Sequence, residues 1–126
     1  MYCLDTNIII DILRGDTELK TKIDRLDVAT TTITLCELFK GAYLSRDSEK
    51  NIKTIEDFIR EIDILNLDEK SSRIVGKDYK NLKIQGKLIQ DLDLIIASIA
   101  KRHNFVLATR NKKDFQNIPD LKIEEW

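Results

Sequence analysis

Among 126 residues there is one histidine, one proline and two cysteines, and no long apolar run occurs anywhere. Each shortage excludes something. Cys3 and Cys36 stand far apart, each inside an apolar run and neither in a closely spaced metal or redox pair, so they read as reduced, buried thiols of an intracellular protein. His103 follows the end of a helical pattern, where it suits the helix dipole better than catalysis. The longest purely apolar stretch, Leu94 to Ala97, is far too short to span a bilayer, and Asp5 and Asp11 break the N-terminus before any leader-like core can form. No charge of one sign dominates either, since 21 Lys and Arg face 22 Asp and Glu for a net charge of −1. A polyanionic partner would therefore have to be met by local patches or through a bound cation. The expectation is a soluble, cytoplasmic chain forming a single domain over residues 1–126.

What is present is an alternation of short strands and helices. Tyr2-Cys3-Leu4 is an apolar run, Asp5-Thr6-Asn7 is a cluster of helix N-cap residues, and Ile8 to Leu13 resumes an apolar pattern at helical spacing. A buried strand turning into a helix places the Asp5 carboxylate at the strand's carboxyl end, where open α/β sheets carry their ligand crevices. Further strands are predicted at Val28–Thr31, Ile64–Leu67, Phe105–Ala108 and Leu121–Ile123. Helices are predicted at Thr17–Arg25, Ile33–Leu44, Asp47–Ile62, Asp68–Ile84 with a stop at Gly86, Asp91–Arg102 and Asn111–Phe115. This alternation points to an α/β/α sandwich, a central and mainly parallel sheet with helices on both faces.

Three carboxylates stand in apolar company. Asp5 follows Tyr2-Cys3-Leu4, Glu37 lies between Leu35-Cys36 and Leu38-Phe39, and Asp93 lies between Leu92 and Leu94-Ile95-Ile96. A buried carboxylate costs several kcal/mol or shifts its pKa unless something compensates it. A shared cation would do so, and an oxygen-only donor set suits Mg²⁺ or Mn²⁺. The alternative is three acids satisfied separately by helix N-terminal amides. Two neighbours are set aside by helical geometry. Asp11 shares a row with Asn7 and Arg14 and reads as solvated, whereas Asp91 lies about 200° from Asp93 around its helix and reads as an N-cap or rim residue. The helix carrying Asp93 is expected to be largely buried, Leu92 included. Thr109-Arg110-Asn111, directly after a strand, supplies a fourth entry to the same edge.

Taken together, Leu4-Asp5-Thr6-Asn7-Ile8, Thr34-Leu35-Cys36-Glu37-Leu38 with Gly41, the block Gly86 to Ala97, and Ala108-Thr109-Arg110-Asn111 with Asp114-Phe115 resemble the PIN-domain ribonucleases. Within that family the chain is similar to VapC toxins of prokaryotic toxin–antitoxin pairs. The resemblance covers essentially the whole chain and implies the PIN-like three-layer α/β/α fold. It also implies a Mg²⁺- or Mn²⁺-dependent endoribonuclease in which metal-activated water attacks an RNA phosphodiester. By the same resemblance Asp5, Glu37 and Asp93 are the acidic residues, Asp5 and Asp93 the more direct metal ligands, and Thr6 and Thr109 supporting hydroxyls. Asn111 stands where many relatives carry a fourth aspartate; its carbonyl can coordinate or accept a hydrogen bond but brings no charge, which bears on a second metal. Asp114 could substitute, its simpler reading being a solvated turn residue. The implied partners are a transfer or ribosomal RNA substrate, a VapB-type antitoxin and a second copy of the chain.

Two further features have competing readings. Lys70, Arg73, Lys77 and Lys80 form one stripe on their helix, either an RNA track or simply the solvated face opposite Val75, Tyr79 and Leu82. The helices from Ile33 to Ile62 carry apolar residues, among them Phe39, Tyr43, Leu44, Phe58 and Ile59, that either pack inside the domain or form a groove for a partner helix. Outside the family reading, the alternatives are another magnesium phosphohydrolase of similar topology, a receiver domain, or a PIN-fold binding module without catalysis. A phosphatase would need a second aspartate after Asp5-Thr6, and a receiver an acidic pair near its first strand; neither is present.

Overall fold

The computed structural model describes residues 1–126. Its strands are β1 (Tyr2–Leu4), β2 (Val28–Thr31), β3 (Asp63–Leu65), β4 (Val106–Thr109) and β5 (Ile123–Glu125). The helices are α1 (Thr6–Leu13), α2 (Thr17–Asp24), α3 (Thr32–Leu44), α4 (Ser48–Ile59), α5 (Glu69–Ile84), α6 (Asp91–Arg102) and α7 (Lys112–Phe115). All strands pair in parallel in a five-stranded sheet of order β3-β2-β1-β4-β5. The α/β class and the parallel sheet are as the alternation predicts.

Period-two alternation divides the core between the two faces. On one face Leu4 and Ala108 pack with Ile8, Ile9 and Ile12 of α1, Leu38 of α3 and Phe58 of α4. On the other, Cys3 and Leu107 pack with Leu82 of α5, Leu94, Ile96 and Ala97 of α6, and Phe115 of α7. The burial of β1 and β4 on both sides explains why their sequences read as unbroken apolar runs.

Strand order positions the site. From β1 the chain moves outward to β2 and β3, then returns on the other side of β1 to build β4 and β5. The reversal falls between β1 and β4, the place where open parallel sheets bind ligands beyond their carboxyl ends. Asp5 ends β1 there, its N–H bonded to the Ala108 carbonyl at 2.9 Å, and Thr109 is the last residue of β4.

Several local expectations are corrected by packing. Cys36 is exposed rather than buried, whereas Cys3 is buried, and burial pushes its thiol up to about 12. Leu92 is 47% exposed and faces away from the core of α6. Gln90, not Asp91, is the N-cap of α6, and Asp91 is its exposed first residue. On α5, Tyr79 lies at the surface and Asp78 takes the buried position, paired with Lys101 of α6 at 2.7 Å. The closing strand runs two residues later than its apolar pattern suggests, because pairing of Leu107 with Ile123 sets its register. The helix stop at Gly86 is as expected: Gly86 has φ 67°, and Lys87 N–H reaches back to the Leu82 carbonyl at 2.8 Å while Gly86 N–H reaches Lys83 at 3.1 Å. That is the Schellman arrangement, which a left-handed glycine permits without Cβ strain.

Candidate metal centre

Asp5 caps α1 with extended backbone (φ −71°, ψ 158°), and its Oδ1 accepts the Thr6 N–H at 2.8 Å. Its Oδ2 accepts the Thr109 hydroxyl, also at 2.8 Å, so one carboxylate ties the ends of the two central strands together across the sheet's reversal. The Thr109 hydroxyl oxygen in turn accepts the Asn111 N–H at 3.0 Å, which turns the chain after β4 and brings Asn111 to the cleft.

The second half of the site comes from α3. Thr31 caps that helix by accepting the Thr34 N–H at 3.1 Å, and this sets Glu37 in the second turn, above the sheet edge. The Thr6 hydroxyl donates to Glu37 Oε1 at 2.7 Å and lies 3.2 Å from Thr34 Oγ1. Behind them the Thr30 hydroxyl donates to the Leu4 carbonyl at 2.9 Å, locking β2 to the end of β1. Thr6 is therefore the hinge between the Asp5 and Glu37 halves.

Asp93 enters from the first turn of α6, and its carboxyl stands without an ion-pair or hydrogen-bonded partner within the chain. A cleft of about 360 Å³ joins it to Asp5, Thr6, Glu37, Asn111 and Asp114. The predicted Asp5, Glu37, Asp93 and Asn111 are thus brought together, with Thr6 and Thr109 beneath them. Asp114, read from sequence as a solvated turn residue, also lines this cleft. Its charge adds to those raising both Asp5 and Asp93. The single turn of α7, pinned by the buried Phe115, sets Asp114 at the cleft while leaving it exposed to solvent; the family spacing named this position, but only packing of α7 brings it to the cleft.

The electrostatics follow from this crowding. No lysine, arginine or histidine is paired with Asp5, Glu37, Asp93 or Asp114. Burial raises the pKa of Asp5, Glu37 and Asp114 add to the rise, and the Thr109 and Thr6 donors offset it only in part. Burial first, then the charges of Asp5, Asp114 and Glu37, push Asp93 up to about 6. A site with this field attracts a cation. Arg110 lies next in sequence to Thr109, but its guanidinium turns away to Asp11 at 2.7 Å and Asp16 at 3.3 Å. Asp11 is consequently ion-paired rather than simply solvated.

The donor set fits Mg²⁺ or Mn²⁺. All donors are oxygen, as hard cations require. No three or more carboxylate, cysteine or histidine side chains are arranged to hold one ion directly. That suits a cation which keeps several waters and uses one or two carboxylates, and it does not suit a closed all-protein cage.

The PIN domain family model matches residues 2–121 of this sequence. The chain belongs to the PIN-domain family. Within the family it is 34% identical to Ribonuclease VapC2 of Haemophilus influenzae, over 99% of this chain and 97% of that protein. It is 28% identical to the tRNA(fMet)-specific endonuclease VapC of Shigella flexneri, with the same coverage. Among solved structures, VapBC2 from Rickettsia felis bound to a promoter DNA fragment superposes with a TM-score of 0.93 at 29% identity, covering 99% of this chain and 98% of that one. The PIN fold of this chain and its VapC-type ribonuclease relationship rest on whole-length similarity.

Beside the acidic cleft of this PIN domain runs a groove of about 420 Å³ between α1, α3 and α4, walled by Ile10, Leu13, Leu38, Ala42 and Ile55. It shares Ile10 and Glu37 with the cleft. None of the apolar residues singled out on these helices lines the groove: Phe58 is buried, Phe39 and Ile59 are partly buried against the core, and Tyr43 and Leu44 are exposed. No helix of the chain is long and apolar enough to cross a membrane.

Proposed function

We propose that residues 1–126 act as one metal-dependent endoribonuclease, the cytoplasmic toxin of a type II toxin–antitoxin pair. The observation that carries this reading is the group of four carboxylates at the sheet's reversal with no cationic partner. Asp5 and Asp93 would hold Mg²⁺ or Mn²⁺, the rest of the ion's shell being water. Such an ion acidifies bound water and stabilises charge developing on a phosphate oxygen. Glu37, with Oε1 held by Thr6, keeps Oε2 free to orient the attacking water and accept its proton. As the water oxygen bonds to phosphorus, the bond to the leaving ribose oxygen breaks and that oxygen takes up a proton from solvent to leave as a hydroxyl. Thr109 holds Asp5 in its ligating rotamer, and Asn111 adds a neutral carbonyl at the rim, where Asp114 supplies the further negative charge.

The groove beside Glu37 would seat a helix of a VapB-type antitoxin, a partner class taken from the VapBC complex of Rickettsia felis, and its overlap with the cleft would let a bound partner block the site. A working homodimer belongs to the same reading. Transfer RNA is the favoured substrate class, by similarity to the Shigella flexneri endonuclease.

The test is cleavage of total cellular RNA by the purified protein with Mn²⁺, with excess chelator, and with the Asp5→Asn variant. Discrete fragments that vanish in both controls are expected. Cleavage that survives chelator, or none by folded wild-type protein freed of any partner, overturns the reading.

A further inference from the structure

The acidic cleft opens on its other side into a compartment of about 560 Å³, between the loop after α5, the start of α6 and the short α7. Asp93, Asp114 and Gln90 line both spaces, so the two are continuous. The outer wall adds Lys87, Lys113 and Asn117. The backbone of Lys87 is fixed, because its own N–H closes the Schellman turn at Gly86, and its exposed side chain starts from that anchored point. Lys113 sits on α7, anchored by the 1% exposed Phe115.

Neither lysine has an ion-pair partner in the chain, although two carboxylates line the same space. Gln90 caps α6 without using its side chain, so its amide is also free. Other surface lysines are unpaired too, Lys40, Lys70, Lys77 and Lys80 among them, and what sets Lys87 and Lys113 apart is that they line a space continuous with the acidic cleft. Lys101, Arg102 and Arg110 are each committed to an aspartate. The stripe on α5 lines neither the cleft nor the compartment, and its Arg73 is paired with Glu69. Its Lys70, Lys77 and Lys80 therefore stand away from the acidic centre.

A polyanion approaching a molecule of net charge −1, and a cluster of four carboxylates within it, gains nothing from the overall field. It needs cations beside the reacting centre. We infer that this compartment is a phosphate subsite: Lys87 and Lys113 bind the RNA backbone phosphates next to the bond that is cut, and the Gln90 and Asn117 amides hydrogen-bond phosphate or ribose oxygens. Lysine acts here as a point charge on phosphate, which positions a strand without reading its bases. The groove beside Glu37 shares no lining residue with this compartment, so the strand and a partner helix would occupy different spaces. This subsite rests on the ribonuclease reading above.

The experiment measures initial rates of fragment formation from total cellular RNA over a series of KCl concentrations. The proteins are wild type, Lys87→Gln, Lys113→Gln, the double variant, and Lys53→Gln, whose lysine lines neither space. Melting with and without Mn²⁺ is recorded for each. The double variant is expected to raise KM with kcat kept. Its plot of log kcat/KM against log salt should be shallower than wild type by about 0.7 per lysine removed, the single-strand value for one phosphate contact. The Mn²⁺ shift in melting should match wild type, and Lys53→Gln should keep the wild-type KM and salt slope. A double variant with the wild-type slope, or a Lys53→Gln slope that falls equally, overturns the subsite alone. Wild-type protein that does not cut RNA overturns the reading of the centre, and the subsite falls with it.

Discussion

Asp5 and Asp78 are almost equally hidden, 5% and 2% exposed, yet they belong to opposite kinds of region. On the seam between α5 and α6, the buried Asp78 and the half-exposed Asp68 each have their own cation. Asp78 holds Lys101 at 2.7 Å, and Asp68 holds Arg102 at 3.1 Å while the Ser71 N–H and hydroxyl, followed by Arg102, lower its carboxyl to about 2. At the carboxyl edge of the sheet, Asp5, Glu37, Asp93 and Asp114 face one another without a cation, and Asp93 is driven up to about 6. The seam is complete as folded and the edge is not. Burial of an acid therefore does not by itself mark a functional site; burial without counter-charge, at a sheet's topological reversal, does.

The comparison breaks most clearly at its two buried aspartates. Asp5→Asn should reduce RNA cleavage below detection and abolish stabilisation by Mn²⁺, while raising the melting temperature in chelator because a repelled charge is gone; a lower melting temperature with cleavage retained would place Asp5 with the seam. Lys101→Met should do the reverse. It leaves Asp78 buried without its partner, for a loss of about 3–5 kcal/mol in urea unfolding. Cleavage per folded molecule should stay at the wild-type level.

A smaller effect is expected from Thr109→Val, which keeps shape and removes the donor to Asp5 Oδ2. Mn²⁺ affinity, read by titration of the melting temperature, should weaken about 10–100-fold, the usual range for a residue that orients a metal ligand.

The two regions should also separate by pH. Asp93 holds its proton to about 6 in the folded chain against a usual value of 3.8, so between those limits the native state binds more protons than the unfolded chain. Its contribution to metal-free stability therefore falls as pH rises through that window, and Asp93→Asn should flatten the change. Asp68 works in the opposite sense: its lowered pKa contributes stability above its usual 3.8 that is lost as pH falls toward about 2. Mn²⁺ stabilisation should weaken below about pH 6, as protons compete for Asp93. Smallest of all, Lys53→Ala removes an exposed pair with Asp57 and should cost about 0.3–0.5 kcal/mol, sensitive to salt.

Much of the edge is legible in the sequence, because its signals are local. A strand-length apolar run followed by N-cap residues places Asp5, and helical rotation separates Asp93 from Asp91. Alternating strands and helices require a parallel sheet whose carboxyl ends share one edge, so acids at several strand ends must meet. Asp78 gives no such signal, since it lies in a polar stretch between Lys77 and Tyr79, and only the approach of Lys101 makes its burial tolerable.

What the tertiary structure alone decided are the matters that depend on what comes opposite. A helical wheel fixes the angle of Leu92 or Cys36 but not whether another element covers that angle, and both are left in solvent. The placing of Asp114 at the cleft depends on how Phe115 seats α7, and the start of β5 depends on its register with β4. The elements and their acids follow from contacts within a few residues, where the chain's own geometry suffices. Which charges remain unpaired is set by contacts between segments more than a hundred residues apart, as between Asp5 and Thr109, and only packing brings those together.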